Sequence, residues 1–413
     1  MVLPFPGDER DVSLLVLSRS VRVVQATGVS PWVVVDADGL VVDPIERFLR
    51  DFVARGNRVG SVRSYAFVLQ RWWRFLAAVG VQWDKATASD VRDLVLWMLQ
   101  ADKPAPGGSG ERLARSGGVN QITGKAYLDE RYKPRTIRHN NAVLRSFYEY
   151  WMDRGEGPLL NPVPRDGRGR PNAHHNPLLP FAPAGRLRYN PKVPKRAPRA
   201  MPDERWDDLF GSLTCDRDRA ILALAVSTAA RAGELLGLRI CDVDWGEQLI
   251  RVRRKGSGAE QWLPASVEAF VWLRLYLDQV GPLTPEEALW WTMRRRSVER
   301  EGLARRPLTY DALRAVLRRA NASLGTNWSM HDLRHTCALR MVRSGGLSLR
   351  DVQVILGHAH LTTTQLYLVE DDSAVIRRVH EYLQEARQRP AQVPVAADGY
   401  ELADLSVLFG GVR

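Results

Sequence analysis

The stretch from His331 to Tyr367 decides how this chain folds and what chemistry it offers. It contains His331-Asp-Leu-Arg-His-Thr, then Leu356-Gly-His, then Thr362-Thr-Thr-Gln-Leu-Tyr. These residue types supply an oxygen nucleophile, imidazoles that carry protons and a fixed cation. They lack the carboxylate cluster typical of a magnesium site and the cysteines typical of a zinc site. The combination favours covalent attack on a phosphodiester without a metal ion or another cofactor.

The negative charge of a phosphoryl transition state explains these residue types. Without a metal ion, the charge on the equatorial oxygens must be met by guanidinium and imidazole donors. A tyrosine phenol can attack the phosphorus and later be expelled when histidine and arginine neighbours favour its charged form. Tyr367 is therefore the predicted nucleophile, with His331, Arg334 and His358 as its predicted neighbours.

Length and composition predict a multi-domain cytoplasmic protein. The 413 residues, 45% of them hydrophobic, can form two or more cores. No apolar run reaches membrane-spanning length and the N-terminus lacks a signal-peptide pattern, so we expect no membrane partner. The three cysteines, Cys215, Cys241 and Cys337, are too few and too scattered for a disulfide framework, and we expect them in the core.

A basic, proline-rich segment at residues 163–200 divides the chain. It holds nine Lys or Arg, one Asp and eight Pro. Such a composition cannot close a core, so it predicts a semi-rigid linker whose cations follow a phosphate backbone, with a simple soluble spacer as the alternative. The net charge of +12 for the whole chain also favours a polyanionic partner.

The residues ahead of the linker are predicted to form a small helical lobe. Strand-like runs at 32–35 and 40–42 around a turn predict a hairpin. Asp43 is the predicted N-cap of the first helix, with Pro44 at the first helical position and Glu46 at the third. Further helices are expected at 61–79, 89–100 and 136–154, with a Gly/Pro/Ser-rich loop at 104–118.

Behind the linker the pattern is mixed, which predicts a mainly α protein whose second domain adds a small antiparallel sheet. Residues 249–264 alternate in polarity and turn through Gly256-Ser-Gly258, which is the signature of a β-hairpin. Helices are expected at 202–212, 216–229, 266–280, 309–322 and through the stretch 331–367.

Arg231 and Lys255 extend the candidate site. Arg231 lies between two apolar helices, where Glu234 could brace it, although an arginine in this setting is usually a surface residue. Lys255 lies in the hairpin turn and is the only lysine after residue 197, in a chain that uses arginine almost everywhere else. Arginine stays protonated near neutral pH, whereas a lysine ammonium can protonate a leaving alkoxide, which suits an acid role. Taken alone, the pattern favours chance survival of one lysine, and only the other site residues favour the acid role.

Together these positions resemble the tyrosine recombinase family, also called the phage integrase family. The matching motifs are Ala230-Arg-x-x-Glu-Leu, the lysine hairpin, His331-x-x-Arg-His-Thr, Leu356-Gly-His and Thr-Thr-x-x-Tyr367. The resemblance covers residues 201–390 closely and 44–162 in style only. The chain departs from the family at Thr-Ala-Ala-Arg231, where a glycine often precedes the arginine, and at Glu286-Glu-Ala-Leu-Trp-Trp-Thr, where a short apolar strand is usual.

The resemblance implies a covalent mechanism. Tyr367 would attack the scissile phosphate and leave a 3′-phosphotyrosyl link and a free 5′-hydroxyl. His331 would manage the proton of the tyrosine, and Lys255 would protonate the 5′ oxygen. Neither ATP nor a metal ion is implied, because the covalent link conserves the energy of the phosphodiester. The phosphate would be held by Arg231, Arg334 and His358.

The architecture of the family implies a clamp around double-stranded DNA. Residues 44–162 would form a core-binding domain and residues 201–390 the catalytic domain, flanked by an N-terminal extension at 1–43 and a C-terminal tail at 391–413. A homotetramer on paired DNA sites would exchange strands through a Holliday junction, with accessory DNA-bending or directionality proteins as further partners. The expected function is site-specific recombination for integration, excision or transposition of a mobile element.

Alternative interpretations stay open at this point. His331 and His335 have the spacing of a zinc-protease pair, but the general-base glutamate is missing, and His335 is otherwise a structural histidine. Residues 362–364 can be a simple cap of the helix that carries Tyr367. A catalytically silent DNA-binding relative and a relaxing enzyme similar to a type IB topoisomerase are the alternative functions, and paired-site strand exchange distinguishes them.

Overall fold

The chain folds into two compact units, Met1–Arg196 and Ala197–Arg413, each around its own core. The regular secondary structure of the described residues consists of helices and three small antiparallel sheets, which confirms the predicted fold class. None of the helices described is long and apolar enough to cross a membrane. The computed structural model describes residues 10–103, 117–127, 130–166, 186–194, 200–294, 296–298, 302–367, 379–381 and 383–384.

The boundary between the two units falls within the predicted linker at 163–200. Most of that linker, most of the loop at 104–118 and all of the tail at 391–413 lie outside the described residues. The assignment of a core-binding domain at 44–162 and a catalytic domain at 201–390 therefore stays a prediction at this stage.

In its described part, the first unit is a helical lobe with a strand pair at its N-terminal side. The predicted helices are present, and each begins and ends within two residues of the predicted bounds. The strands are β1 (Arg22–Gln25) and β2 (Trp32–Val35), and the helices are α1 (Asp43–Ala54), α2 (Val59–Val79), α3 (Ala88–Gln100) and α4 (Pro134–Met152).

The predicted hairpin around residues 36–39 forms, but it is only part of the strand arrangement. The N–H of Val42 donates to the carbonyl of Val34, and Val35 makes a bridge to Val41. The main partner of β2 is β1, which pairs with it antiparallel along its whole length. The sequence analysis missed β1 because it is four residues long and its two valines are flanked by polar residues, too short a pattern to identify a strand.

The predicted N-cap of α1 is wrong by one residue. The carbonyl of Val42 accepts the first helical hydrogen bonds, from the N–H groups of Ile45 and Glu46, so Val42 is the N-cap. Asp43 therefore occupies the first helical position. Its carboxylate still stabilises the helix from there, because negative charge is favoured near the positive end of the helix dipole.

The core of the first unit is built on aromatic rings, and one of them also carries buried hydrogen bonds. Phe48 and Phe147 are fully buried and meet edge to face, with ring centroids 5.4 Å apart. The Tyr148 hydroxyl accepts a hydrogen bond from Nε1 of Trp72 at 2.8 Å and donates one to the carbonyl of Trp83 at 2.9 Å. Burial raises the pKa of Tyr148, so the hydroxyl stays protonated and joins α2, α4 and the turn at Trp83.

We expect Tyr148→Phe to destabilise the first unit by about 1–3 kcal/mol, because it leaves the Trp72 N–H and the Trp83 carbonyl unpaired in the core. Denaturant unfolding of the full chain measures the change. The control is Tyr310→Phe, at a residue that is 52% exposed, which should change stability by less than about 0.5 kcal/mol. Equal stability of the Tyr148 variant and the wild type would contradict this account.

The second unit has helices around a small sheet, as predicted. The helices expected at 202–212, 216–229, 266–280 and 309–322 each begin and end within two residues of those bounds. The 3-10 turn Gln365–Tyr367 directly follows the helix Leu361–Thr364. The helices are α5 (Asp203–Gly211), α6 (Asp216–Thr228), α7 (Ala232–Leu236), α8 (Val267–Val280), α9 (Tyr310–Leu324), α10 (Met330–Arg343), α11 (Leu349–Leu356) and α12 (Leu361–Thr364).

The predicted hairpin is confirmed and belongs to a sheet of order β3-β4-β5. Strands β3 (Val243–Asp244), β4 (Leu249–Arg253) and β5 (Glu260–Pro264) pair antiparallel, with Arg253 opposite Glu260 at the turn. The segment from Glu286 runs beside residues 238–240, where the N–H of Leu289 donates to the carbonyl of Leu238. It leads to a second strand pair, β6 (Arg296–Val298) and β7 (Gly302–Ala304).

The expectation that all three cysteines lie in the core is wrong for one of them. Cys337 is buried and Cys215 is half-buried, but Cys241 is exposed. Cys241 lies in a 3-10 turn, Ile240–Asp242, at the surface of the second unit, where its backbone N–H donates to the carbonyl of Pro285. The small apolar side chain is tolerated there because the backbone, and not the thiol, makes the contact.

Candidate active site

The residues predicted for the site lie near helix ends and in turns of the second unit. Such positions leave backbone and side-chain groups available for contacts outside the helices. The positions are Arg231 at the N-cap of α7, Lys255 after β4, His331 and Arg334 on α10, His358 after α11 and Tyr367 in the 3-10 turn after α12.

Glu234 organises the upstream half of the site. Its buried carboxylate accepts hydrogen bonds from the Arg231 guanidinium at 2.8 Å and from the Arg231 backbone N–H at 2.9 Å. It also accepts from the backbone N–H of Lys255 at 3.1 Å and from the Arg254 guanidinium at 3.1 Å. The predicted bracing of Arg231 by Glu234 is therefore confirmed. The carboxylate further attaches the lysine turn, whose Lys255 side chain is exposed.

Arg334 is the buried cation of the site. It is 3% exposed, and its guanidinium donates to the carbonyls of Ala229 and Leu356 and to Nε2 of His358. Burial, and then repulsion from Arg231, lower the pKa of Arg334 to about 10, so the side chain stays charged at neutral pH. The guanidinium thus joins the end of α6 to the turn that follows α11.

Tyr367 is only 4% exposed, and its hydroxyl contacts His335. The oxygen lies 2.9 Å from Nδ1 of that histidine, so His335, for which a structural role is expected, also adjoins the predicted nucleophile. The exposed His331 lies one helical turn earlier, with its ring centroid 4.2 Å from that of His335. Burial raises the pKa of Tyr367. Arg334 and Arg231 lower it, as expected of neighbours that favour the charged phenol, but in the DNA-free fold their effect is smaller than that of burial.

His358 is held as a neutral imidazole of one tautomer. A guanidinium nitrogen of Arg334 lies 3.1 Å from Nε2, and because that nitrogen can only donate, Nε2 accepts. The proton is then on Nδ1, which donates to the hydroxyl of Thr364 at 3.0 Å. Burial, followed by repulsion from Arg334 and Arg231, lowers the pKa of His358 to about 4. The interpretation of 362–364 as a cap is wrong, since Thr364 is buried on His358 and His360 is the N-cap of α12.

Gly357 closes α11 and fits only as glycine. Its φ of +60° lies in the left-handed region. A Cβ atom at this position would lie 2.8 Å from Nε of Arg254. The Leu-Gly-His motif therefore has a physical reason, since the glycine lets the chain turn tightly enough to bring His358 back onto Arg334.

Sequence reasoning missed Arg254, His335 and Thr364 as members of the cluster. Arg254 adjoins Lys255 and His335 adjoins Arg334, so sequence neighbours of predicted site residues were the available signal. Thr364 belongs to the Thr-Thr-x-x-Tyr367 motif, but the motif does not predict its contact with His358, which depends on the turn at Gly357. Within the described residues, no group of three or more His, Cys, Asp or Glu side chains is placed to hold a metal ion.

Comparison with known proteins places this chain in a family. Residues 212–373 match the phage integrase family. The tyrosine recombinase XerD of Pseudomonas aeruginosa is 30% identical over 303 residues, which cover 71% of this chain and 90% of that protein. The tyrosine recombinase XerC of Myxococcus xanthus is 29% identical over 284 residues, which cover 63% of this chain and 87% of that protein.

Solved structures agree in fold. A structure of the Tn1549 transposon integrase with transposon right end DNA has a TM-score of 0.53 at 14% identity and covers 83% of this chain and 99% of that one. A lambda integrase dimer bound to a core site has a TM-score of 0.50 at 15% identity, covering 79% of this chain and 76% of that one. The chain therefore belongs to the tyrosine recombinase, or phage integrase, family and is a tyrosine-type site-specific DNA recombinase.

We expect Gly357→Ala to destabilise the second unit, because alanine costs about 1–2 kcal/mol in the left-handed region and its Cβ also displaces Arg254. Thermal or denaturant unfolding measures the loss. The matched control is Gly346→Ala, at a position with open space around it and without a positive φ. The account fails if the two alanine variants are equally stable.

The depressed pKa of His358 predicts a loss of stability on acidification. Between about pH 6.5, the usual value for histidine, and pH 4, the unfolded chain binds a proton at His358 that the folded chain excludes. The contribution to stability is therefore present above this window and declines as the pH falls through it. In His358→Gln, unfolding measured from pH 7 to 4.5 should show a weaker decline than in the wild type. Parallel curves would contradict the buried neutral imidazole.

Proposed function

We propose that this recombinase cuts and rejoins double-stranded DNA through a 3′-phosphotyrosyl intermediate on Tyr367. The observation that carries the proposal is the 2.9 Å contact between the Tyr367 hydroxyl and Nδ1 of His335, within a cluster that also holds Arg334 and His358. A phenol held against an imidazole base beside guanidinium groups has the arrangement of an activated nucleophile.

Each remaining group of the cluster suits one part of the phosphoryl transfer. The Tyr367 oxygen attacks phosphorus, the bond from phosphorus to the 5′ oxygen breaks, and the leaving oxygen takes a proton from the Lys255 ammonium. Rejoining is the reverse reaction. Because guanidinium and imidazole groups meet the transition-state charge, the reaction is proposed to need no metal ion. Because the covalent link conserves the energy of the phosphodiester, it is proposed to need no ATP. The phosphate is held by Arg231, Arg334 and His358. His358 must first take up a proton at Nε2, because in the DNA-free fold this nitrogen accepts from Arg334 and the Nδ1 proton is donated to Thr364.

The proton of the tyrosine is proposed to pass through the histidine pair on α10. His335 contacts the Tyr367 hydroxyl directly, and His331 stands next to His335 at the surface. His331 can therefore exchange the proton with solvent, or with the phenol once Tyr367 shifts toward bound DNA. This keeps the predicted role of His331 and adds His335 as the nearer partner.

Double-stranded DNA is the proposed partner of both units. The net charge of +12 supports a polyanionic ligand, and the Tn1549 integrase structure of similar fold is described as a DNA complex. We assign residues 44–162 to core binding and 201–390 to catalysis. The recombinase is further proposed to act as a homotetramer on paired sites. Its role would be the integration, excision or transposition of a mobile element.

Covalent trapping tests the mechanism. On a nicked suicide duplex, built on a binding site first selected from randomised DNA, the wild type should form a DNA–protein adduct equally well with and without EDTA. Tyr367→Phe should form none, because it lacks the nucleophilic oxygen, and Tyr310→Phe should match the wild type. The adduct is read as a shifted band on a denaturing gel.

Two results would overturn the mechanism. One is an adduct that persists in Tyr367→Phe, and the other is an adduct that EDTA abolishes. DNA binding without any wild-type adduct would favour the catalytically silent relative. On the same gel, His335→Ala should slow adduct formation at least as much as His331→Ala, since His335 is the histidine in contact with the phenol.

A further inference from the structure

We infer that Arg254 is a positioning residue for the cleavage step, which fixes the turn that carries Lys255 against the turn that carries His358. The inference rests on the proposed function, in which Lys255 protonates the leaving 5′ oxygen. Arg254 precedes Lys255 in the chain and is itself 5% exposed, so its charge lies inside the second unit beneath the exposed lysine turn.

The contacts of Arg254 join three elements. Nε donates to the side chain of Gln261 on β5 at 2.8 Å, one terminal nitrogen donates to Glu234 on α7 at 3.1 Å, and the other donates to the carbonyl of Ile355 on α11. The Arg254 backbone also closes the hairpin turn, since its N–H donates to the carbonyl of Ala259 at 2.8 Å. One residue therefore connects the hairpin, the helix that follows Arg231 and the helix that precedes His358.

The end of α11 provides an independent reason for a cation at this place. The last four carbonyls of a helix have no partner within it, and positive charge is favoured there. Arg254 satisfies the carbonyl of Ile355, and Nε2 of Gln261 donates to the carbonyl of Val354 at 3.0 Å. Both side chains come from the hairpin, so the hairpin caps α11.

Gly357 makes the attachment close. A Cβ there would lie 2.8 Å from Nε of Arg254 and 3.1 Å from its Cδ and Cζ atoms, so the turn before His358 packs directly on the guanidinium. A buried guanidinium is costly unless its N–H groups are bonded, and its planar fork allows few alternative arrangements. The Lys255 turn and the His358 turn are therefore held in one relative position.

The relative position of the two turns matters because Lys255 and His358 must act on the same phosphate. Lys255 has to reach the 5′ oxygen while Arg334, and His358 once it is protonated at Nε2, hold the non-bridging oxygens. A misplacement of the acid by about 1 Å can cost ~100-fold in rate. Loss of the Arg254 contacts should therefore impair protonation of the leaving group more than phosphate binding.

A substrate that needs no acid separates positioning from a purely structural role. In a duplex with sulfur in place of the scissile 5′ oxygen, the thiolate leaves without a proton, so single-turnover cleavage no longer depends on the acid. On the oxygen substrate, Arg254→Lys should cleave ~100-fold more slowly than the wild type. On the sulfur substrate, most of that loss should disappear, as it should for Lys255→Ala.

Two further variants keep the test decisive. Gln261→Leu removes the group that accepts from Nε of Arg254 and the group that donates to the carbonyl of Val354, while it leaves Arg254 in place. It should show the same rescue by sulfur, and it replaces Arg254→Lys in the test if that variant folds poorly. Arg253→Gln is the matched control, because Arg253 is the exposed neighbour whose ion-pair partner, Glu260, is itself exposed. The ratio of its cleavage rates on the oxygen and the sulfur substrate should equal that of the wild type.

The outcomes distinguish this inference from the mechanism on which it rests. If Lys255→Ala is rescued by sulfur but Arg254→Lys and Gln261→Leu stay equally slow on both substrates, the positioning role of Arg254 is wrong and the acid role of Lys255 stands. If Lys255→Ala itself is not rescued, Lys255 is not the acid, and the inference fails together with that assignment.

Discussion

The buried carboxylate of Glu234 is the interaction on which the arrangement of the catalytic cluster depends. Burial alone would raise the pKa of this carboxyl, but hydrogen bonds from the Arg231 backbone and guanidinium, and from the backbone of Lys255, hold the pKa below its usual value. The charged carboxylate can therefore pair with Arg231 and Arg254 at once. Without it, the guanidinium groups of Arg231 and Arg254 and the turn at Lys255 would lose the carboxylate to which all three bond. A charge left unpaired in the interior is strongly unfavourable.

The charges of the cluster do not balance within the protein, and that imbalance suits a phosphate ligand. Glu234 is shared between Arg231 and Arg254, while Arg334 donates to two carbonyls and to a neutral histidine. The arginines repel one another, which contributes to the lowered pKa of Arg334. A bound phosphodiester would relieve this repulsion. The DNA-free fold therefore already holds the positive charges in an arrangement that favours phosphate binding.

Helix positions and the active-site motifs could be predicted from the sequence, because both depend on local order. A continuous apolar run marks α6, Ser266 and Gly281 cap the two ends of α8, and the glycines at 256 and 258 mark the hairpin turn that carries Lys255. The role of Arg254 could not be predicted this way. It depends on the approach of α11 to the hairpin, which brings the Ile355 carbonyl to a residue about a hundred positions away. The contact of His335 with Tyr367 likewise requires the turn after α12.

Ala229 shows how this chain accommodates its departure from the family pattern before Arg231. The residue has a φ of +54°, a left-handed conformation that costs alanine roughly 1–2 kcal/mol and that glycine adopts freely. Its methyl group, however, is fully buried in a small cluster with Cys337 and Tyr367, and burial of one such group contributes about 0.8 kcal/mol. Burial therefore offsets part of the conformational cost of alanine at this position. Because the carbonyl of Ala229 accepts a hydrogen bond from Arg334, the strained conformation also directs that oxygen at the cation beside the nucleophile.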